Sequence, residues 1–401
     1  MNDSVLRGAI GLMPSALGFE SPFIPSQLDE VENVDNYQPG GFHPVQIGDK
    51  FSAGRYRIIH KLGFGGSSTI WLARDEKIVE DHFFVDGPNG RHQFLVSALA
   101  GPSVLAILDF PQRRRLRVDL AKKLARQAAC ALEHIHSAGF VHGGQYGLRK
   151  SKVECNFTTS NLLFCLSHHA VEWSDDEVYL HLGDPVTDTV RTWTGEPVGP
   201  HAPSSLTEAI DHSLFTKTNL LQENILVADF GQAYTAAMPE DHKPRTRLNY
   251  MSPEALFEGR AGSEADVWAL GCAIFEIRAG FPLFDSFFPS HTEVITQMVC
   301  TLGRLPDPWW DAFKNQGQFE EDGRPKKNTK LLLSSIREQL CSLGEIPASK
   351  VDPMFENTEM KVDEKEVNLL ADLLEKMMRY RPEDRIRIRE VVNHSWFGYD
   401  I

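Results

Sequence analysis

The residue in this 401-residue sequence that is best placed to do chemistry is Asp229, which directly follows the apolar run Ile225–Ala228. Four apolar residues in a row, two of them β-branched, are typical of a buried strand. A carboxylate at the end of such a strand can be aimed by a loop at a bound ligand. Gly231 allows the chain to turn sharply behind that carboxylate. The sequence therefore predicts a ligand-facing acid at a strand end.

Three further motifs accompany this acid in a fixed order. Residues 158–163 precede it, and Ser252-Pro253-Glu254 and residues 266–271 follow it. Together, and in this order, the motifs resemble the signature set of the protein kinases. The resemblance implies that Asn161 and Asp229 hold the magnesium ions of bound ATP, and that the Pro-Glu pair closes the activation segment.

A glycine-containing lead-in narrows the resemblance further. Residues 37–45 read Tyr-Gln-Pro-Gly-Gly-Phe-His-Pro-Val and stand shortly before a second glycine-rich stretch. This arrangement resembles the SR-protein kinases, and in particular their fungal SRPK-like branch. The resemblance implies a serine/threonine kinase that transfers the γ-phosphoryl of Mg-ATP to Arg/Ser-rich proteins, with a role in mRNA processing. It also implies a location in the cytoplasm, the nucleus or both.

The second glycine-rich stretch follows the strand-like residues 56–62 and resembles the kinase loop that approaches the phosphates of ATP. Ser68 stands where that loop has its third glycine. Taken alone, the stretch is equally typical of an ordinary hairpin turn. The resemblance places a hinge at residues 97–101. The predicted ATP-binding residues in the loop and hinge are Leu62, Gly63, Phe64, Gly65, Gly66, Ser67, Ser68, Ile70, Ser97 and Leu99.

The sequence departs from the kinase pattern directly after this loop. A kinase has a strand there with an ATP-gripping lysine, then a helix with the glutamate that pairs with it. The span from Ile70 to Phe83 is too short for the rest of one strand, a second strand and a helix. We therefore expect Lys77 to be a solvated turn residue, and the gripping lysine and its helix to be deleted.

The catalytic loop is the second departure. The pattern begins at Val141-His142, is interrupted by residues 144–155, and resumes with Asn156 in the position of the catalytic aspartate. The resemblance therefore makes His142 and Asn156 the predicted catalytic residues. An amide cannot take the proton of the substrate hydroxyl, and a positioned base contributes roughly 10²–10⁴-fold. One hypothesis is that both departures are errors of the gene model, and sequencing the cDNA would test it.

The resemblance also predicts two structural contacts. Glu254 is expected to pair with Arg385, and breaking such a buried pair typically costs about 3–5 kcal/mol. Asp266 is expected to anchor the catalytic loop that carries His142.

The predicted fold is α+β: a two-lobed kinase fold with a truncated, mainly-β N-lobe and a complete helical C-lobe. Apolar residues at helical spacing predict a long helix between Val118 and Ile135. The predicted domains are a disordered tail at 1–36, a kinase domain at 37–397, an N-lobe at about 50–100, a C-lobe at 102–397, and a partly ordered surface insert at about 164–222.

Composition narrows the remaining classes. A net charge of −14 argues against a nucleic-acid binder, and no apolar run reaches membrane-spanning length. The six cysteines show no pairing or metal-ligand spacing, which indicates a reducing compartment. We expect a monomer.

Two alternatives to an active kinase stay open. The first is a pseudokinase or scaffold, which magnesium-dependent stabilisation by ATP without phosphate transfer would favour. The second is an incomplete gene product that aggregates, because loss of the helix would leave one face of the small sheet uncovered.

Overall fold

The computed structural model describes residues 21–66, 68–75, 81–108, 115–143, 157–211, 213–216, 220–230, 233–235, 247–285, 290–313, 315–344, 354–356 and 361–399. Its strands are β1 (Lys50–Phe51), β2 (Tyr56–Phe64), β3 (Thr69–Asp75), β4 (Asp81–Gly87), β5 (Gly90–Val96), β6 (Ala100–Ser103), β7 (Phe140–Val141), β8 (Leu162–Leu166), β9 (Thr187–Thr189), β10 (Ser205–Thr207), β11 (Leu221–Val227) and β12 (Tyr234–Thr235). Its helices are α1 (Val104–Leu108), α2 (Val118–Ser137), α3 (His168–Val171), α4 (Asp175–Leu182), α5 (Ser213–Thr216), α6 (Pro253–Glu258), α7 (Ser263–Ala279), α8 (His291–Leu302), α9 (Trp309–Ala312), α10 (Ile336–Cys341), α11 (Glu364–Met377) and α12 (Ile388–Val392). The α+β class is confirmed.

The chain divides into two compact units. The first unit contains residues 1–99 and 172–214, and the second contains residues 100–171 and 215–401. The boundary after residue 99 falls inside the stretch that the sequence predicts as a hinge.

Two small sheets lie in the part of the first unit that precedes residue 99. One has the strand order β1–β2–β3, and the other is the β4–β5 hairpin. The β2–β3 register runs from Tyr56 opposite Asp75 to Phe64 opposite Thr69. The β4–β5 hairpin closes at Gly87 opposite Gly90, where the chain carries a Pro-Asn-Gly turn sequence.

Residues 21–36 belong to the folded first unit, which corrects the prediction of a disordered tail through residue 36. Val34 lies in a small core with Tyr37 and Phe42, and residues 190 and 206 of the distant insert complete that core. Burial of apolar side chains supplies the free energy that holds this segment against the sheet. Residues 1–20 lie outside the described part of the chain.

The predicted insert is also placed differently. Of the predicted range 164–222, residues 172–214 belong to the first unit rather than to the helical lobe. They contain α4, β9 and β10, and β9 and β10 form an antiparallel pair. Ser174 and Glu177 form a capping box that begins α4.

The second unit is mainly helical and surrounds α7. The whole stretch Asp266–Ala279 of α7 is buried, which is typical of a core helix. Helix α2 packs beside it through the apolar face that the sequence predicts, and it extends only two residues beyond the predicted end at Ile135. A three-stranded sheet, β6–β8–β11, completes the unit. Within the described ranges, no helix combines the length and apolarity needed to cross a membrane.

Candidate active site

One strand pair of the second unit brings the two predicted metal ligands to the same end. Strands β8 and β11 are antiparallel, with Leu162 opposite Val227. One step further along, the Ala228 N–H donates to the Asn161 carbonyl oxygen at 2.8 Å. Asn161 and Asp229 therefore flank the point where this pairing ends, as the sequence predicts for Asp229.

The backbone at Asp229 supports a functional position. Its φ angle is 63°, in the left-handed region that few residues other than glycine adopt. Aspartate tolerates this region better than bulky residues do, and such conformations cluster at functional sites. Asp229 and Phe230 are both exposed, so the carboxylate is accessible to a ligand.

The donor set at this strand end fits a magnesium ion that arrives with a nucleotide. Mg²⁺ prefers oxygen ligands and is usually bound by one or two carboxylates together with substrate phosphates and waters. Asp229 supplies a carboxylate, and Asn161 supplies an amide oxygen. Among the described residues, no group of three or more His, Cys, Asp or Glu side chains could hold a metal by itself.

Asp266 holds the start of the catalytic loop in the way that the sequence predicts. Its carboxylate oxygen Oδ2 accepts a hydrogen bond from the His142 backbone N–H at 2.8 Å. The same oxygen lies 3.0 Å from Nε2 of His136, near the end of α2. A buried carboxylate thus fixes the chain direction where the loop leaves β7.

The His142 side chain links the loop to the Asp229 turn. Its ring makes edge contacts with Phe157 at 5.4 Å and Phe230 at 5.1 Å between ring centroids. Its Nε2 lies 3.3 Å from the Ala228 carbonyl oxygen. The sequence places His142 among the catalytic residues, whereas this geometry describes a positioning residue that ties Asp229 to the loop.

Glu276 is a second anchor of the catalytic loop, and the sequence analysis did not predict it. Thr159 and Tyr250 each donate a hydroxyl hydrogen bond to Oε2 of Glu276, and their hydroxyl oxygens lie 2.9 Å apart. Burial, and the nearby Glu276 carboxylate, raise the pKa of Tyr250 well above its usual value. The available signal was a single acid in the mainly apolar second half of α7.

The predicted Glu254–Arg385 pair is present and bidentate. The two guanidinium nitrogens Nη1 and Nη2 lie 2.7 and 2.6 Å from the two oxygens of Glu254. Arg385 also donates to the carbonyl oxygens of Arg379, Tyr380 and Glu264. Its remaining donors are therefore occupied, so the buried charge is compensated.

The glycine-rich stretch forms the tip of the β2–β3 hairpin in the first unit. The Gly65 N–H donates to the Ser68 carbonyl oxygen at 2.8 Å, which closes the turn. Phe64 and Ile70 are 37% and 55% exposed, so the apolar flanks of the tip are accessible. This geometry is compatible with a phosphate-binding loop and with a plain hairpin turn.

Several predicted positions fall outside the described residues and stay predictions. They are Ser67 of the loop, Lys77, the inserted stretch 144–155 and Asn156. The described strands still bear on the predicted deletion after the glycine-rich loop. Strand β3 ends at Asp75 and β4 begins at Asp81, so too few residues separate them for a strand and a helix.

Comparison with known proteins finds similarity to protein kinases. The protein kinase domain model matches residues 212–397. Over 92% of both chains, the sequence is 22% identical to the serine/threonine-protein kinase SRPK of Physarum polycephalum. It is 25% identical to the protein kinase dsk1 of Schizosaccharomyces pombe, covering 69% of this chain and 71% of that one. A serine/threonine protein kinase of Aspergillus fumigatus is 23% identical over 92% of this chain and 90% of its own.

The chain contains a match to the protein kinase domain and is similar over most of its length to SRPK-like serine/threonine kinases. The resemblance to the SR-protein kinases, the two-lobed α+β fold class and the assignment as a serine/threonine kinase are thereby confirmed. The matched range of this kinase contains Asp229, Glu254, Asp266 and Arg385. Asn161 and His142 lie before it, within the longer alignment to the Physarum relative.

Proposed function

We propose that this kinase binds Mg-ATP through Asn161 and Asp229 and transfers the γ-phosphoryl group to Ser or Thr of Arg/Ser-rich proteins. The observation that carries the proposal is the common strand end at which the Ala228 N–H meets the Asn161 carbonyl. The similarity to SRPK and dsk1 supports the protein substrate. The net charge of −14 is compatible with a basic substrate.

The proposed roles of the site residues follow from the chemistry of their side chains. Bound magnesium neutralises phosphate charge, and Asp229 and Asn161 are the groups that would hold it. His142, Asp266 and Glu276 keep the loop and the Asp229 turn in register. Asn156 can donate or accept a hydrogen bond to the substrate hydroxyl but cannot take its proton. We therefore propose a slow kinase, short of a base that is worth roughly 10²–10⁴-fold.

The test is phosphate transfer to an Arg-Ser repeat peptide by the full chain. We expect weak Mg-ATP-dependent transfer that D229A abolishes. The variant N156D should raise the rate by roughly 10²–10⁴-fold, because it restores the base. The control N224D makes the same amide-to-acid change at an exposed position and should leave the rate unchanged. Transfer that D229A does not affect would contradict the proposal.

A pseudokinase or scaffold is the second candidate, favoured by Asn156 and by the expected loss of the lysine that binds the ATP phosphates. It predicts that Mg-ATP raises the melting temperature while neither the wild type nor N156D transfers phosphate. In that case Asp229 and Asn161 serve nucleotide binding alone, and D229A should remove the thermal shift.

The cellular setting is also a proposal. We propose that the kinase acts as a monomer in the cytoplasm, the nucleus or both, where its Arg/Ser-rich substrates would be met during mRNA processing. Size-exclusion chromatography with light scattering tests the monomer, and imaging of a tagged chain tests the location.

A further inference from the structure

Strand β2 is buried on both faces although the chain has no room for the kinase helix beside it. Successive residues of a strand point to opposite faces. Ile58, Ile59, His60 and Lys61 are nevertheless all at most 5% exposed. Tyr56 stacks on Phe83 of the β4–β5 hairpin, which covers one face. A register shift between Ile58 and His60 puts Arg57 and His60 on the opposite face, so something else must cover that face and also the Lys61 end of the first face.

Two segments that are distant in sequence provide this cover together. We call residues 21–45 and 172–214 the cap. The Ile24 N–H donates to the Arg191 carbonyl at 2.8 Å, and the Ala209 N–H donates to the Glu30 carbonyl at 2.9 Å. The cap also has its own small core, formed by the side chains Val34, Tyr37, Phe42, Val190, Ala202 and Leu206.

Lys61 is the point where the cap and the glycine-rich hairpin meet. Its fully buried Nζ donates to the Glu32 carboxylate and to the Thr207 carbonyl oxygen, the latter at 2.8 Å. The same Nζ lies 5.2 Å from the ring centre of Phe64 and 5.7 Å from that of Trp71. One ammonium group thus contacts both segments of the cap and both strands of the hairpin.

The partner carboxylate is equally enclosed. Glu32 is 3% exposed, and its second oxygen accepts a hydrogen bond from the Tyr37 hydroxyl. Burial lowers the pKa of Lys61, and the hydrogen bond from its ammonium to Glu32 opposes that effect. Removing one partner of such a pair leaves a buried charge without compensation, whereas removing both is often tolerated.

Two other contacts attach the cap to the sheets. Asn89, in the β4–β5 turn, donates from Nδ2 to the carbonyl oxygens of Phe42 at 2.6 Å and His201 at 2.7 Å. Asp175, at the start of α4, pairs with Arg57 of β2 and Arg74 of β3. The contacts on β2, β3 and the β4–β5 turn make the cap a single cover rather than a loose excursion.

We infer that the cap takes the structural place of the missing kinase helix, and that Lys61, through Glu32, positions the glycine-rich hairpin against it. The cap acts through the hairpin and touches no reacting atom. Lys61 is therefore a positioning residue, and Glu32 is the group that holds it.

Hydrogen exchange of the full chain, without nucleotide, tests the inference. In K61M and in the nearly isosteric E32Q, amides of residues 56–75 and of the cap should exchange at least about tenfold faster, because each variant leaves one buried group unpaired. Amides of α7, in the second unit, should keep their rates. The control K376M removes a lysine from an exposed pair with Asp372 and should change neither region.

The double variant distinguishes a coupled pair from simple packing. K61M/E32Q removes both charges, so exchange in residues 56–75 should return toward the wild-type rate. Two results would overturn the inference. One is an exchange rate of residues 56–75 in K61M equal to that in K376M. The other is a double variant whose increase in exchange rate equals the sum of the increases in the two single variants. If K61M does not fold, E32Q and the double variant decide the question alone.

The expected effect of Lys61 on nucleotide binding rests on the proposed function and is measured separately, as the Kd for Mg-ATP. We expect K61M to raise the Kd for Mg-ATP relative to K376M, because the loop at the hairpin tip loses its fixed position. If the wild-type chain binds no nucleotide, the proposed function fails, while the exchange experiment still decides the role of the cap.

Discussion

At the scale of single residues, the second unit relies on buried charges whose hydrogen-bonding capacity is filled. The Arg385 guanidinium shows this most clearly, since it forms two bonds to Glu254 and three to backbone carbonyls. Such a pair contributes little net stability relative to an apolar core, but it is sensitive to the loss of one partner. Glu276 has the same character, because it accepts from Thr159 and Tyr250 in a buried position.

The Glu254–Arg385 pair gives a quantitative prediction. E254Q should lower the free energy of unfolding by about 3–5 kcal/mol, because it leaves the Arg385 charge buried without its counter-ion. Urea denaturation followed by tryptophan fluorescence measures this. The control E383Q changes an exposed glutamate, 66% accessible, and should cost less than about 1 kcal/mol. Equal midpoints for the two variants would contradict the prediction.

The loop anchor at Glu276 gives a second prediction. E276Q should lower kcat for phosphate transfer and leave the Kd for Mg-ATP unchanged. The loop loses a fixed hydrogen-bond acceptor, whereas Asp229 is not altered. The measurement is kcat together with the nucleotide Kd in the same preparation. A fall in thermal stability with unchanged kcat would show that Glu276 supports the fold only.

At the scale of elements, the sequence predicted helices and strands whose apolar residues repeat with a clear local pattern. Helix α2 repeats apolar residues over its whole length, and the predicted and observed starts coincide at Val118. Strand β11 likewise contains the apolar residues from Ile225 onward that the sequence predicts as a buried strand. The acidic stretch 29–35 has no such pattern, and its buried residues Glu32 and Val34 depend on partners in the insert or the hairpin. No local rule could predict those partners, because each segment reads as solvated by itself.

The Asp175 attachment of the cap predicts a pH dependence. Hydrogen bonds from Arg57 and Arg74 lower the pKa of Asp175 below its ordinary value of 3.8. The Asp175 carboxylate therefore contributes to folding stability above pH 3.8, the ordinary pKa that the group has in the unfolded chain. This contribution is lost as the pH falls through the lower pKa of the folded state. D175N should cost about 1 kcal/mol at pH 7, and this cost should shrink as the pH falls below 3.8 and through the lower folded pKa, where the wild-type carboxyl also becomes uncharged.

Thermal unfolding of the wild type and D175N across this pH range measures the difference. The matched control D119N changes an aspartate whose side chain is 70% exposed, and it should show a smaller difference at pH 7. A D175N deficit that does not shrink anywhere below pH 3.8, while the wild type still unfolds cooperatively, would mean that the carboxylate charge does not attach the cap.

At the scale of the whole molecule, the cap covers the small sheet that the hypothesis of an aggregating product expects to be exposed on one face. Replacing residues 174–211 by a Gly-Ser segment of equal length should uncover β2 and cause aggregation, while α7 in the second unit keeps its exchange protection. Light scattering and hydrogen exchange measure the two outcomes. A monomeric variant with residues 56–75 still protected would show that the sheet does not need the cap.

The cap also sets an order for biosynthesis. Ser26 meets Asp188 across 162 positions of the chain. At about 5–20 residues per second, the ribosome needs roughly 8–32 s to make that interval. The glycine-rich hairpin is complete at Asp75, within this interval, and must wait through most of the interval with an apolar side open while residues of the other unit are being translated. Nascent chains of this protein should therefore depend on chaperones until residue 214 has emerged.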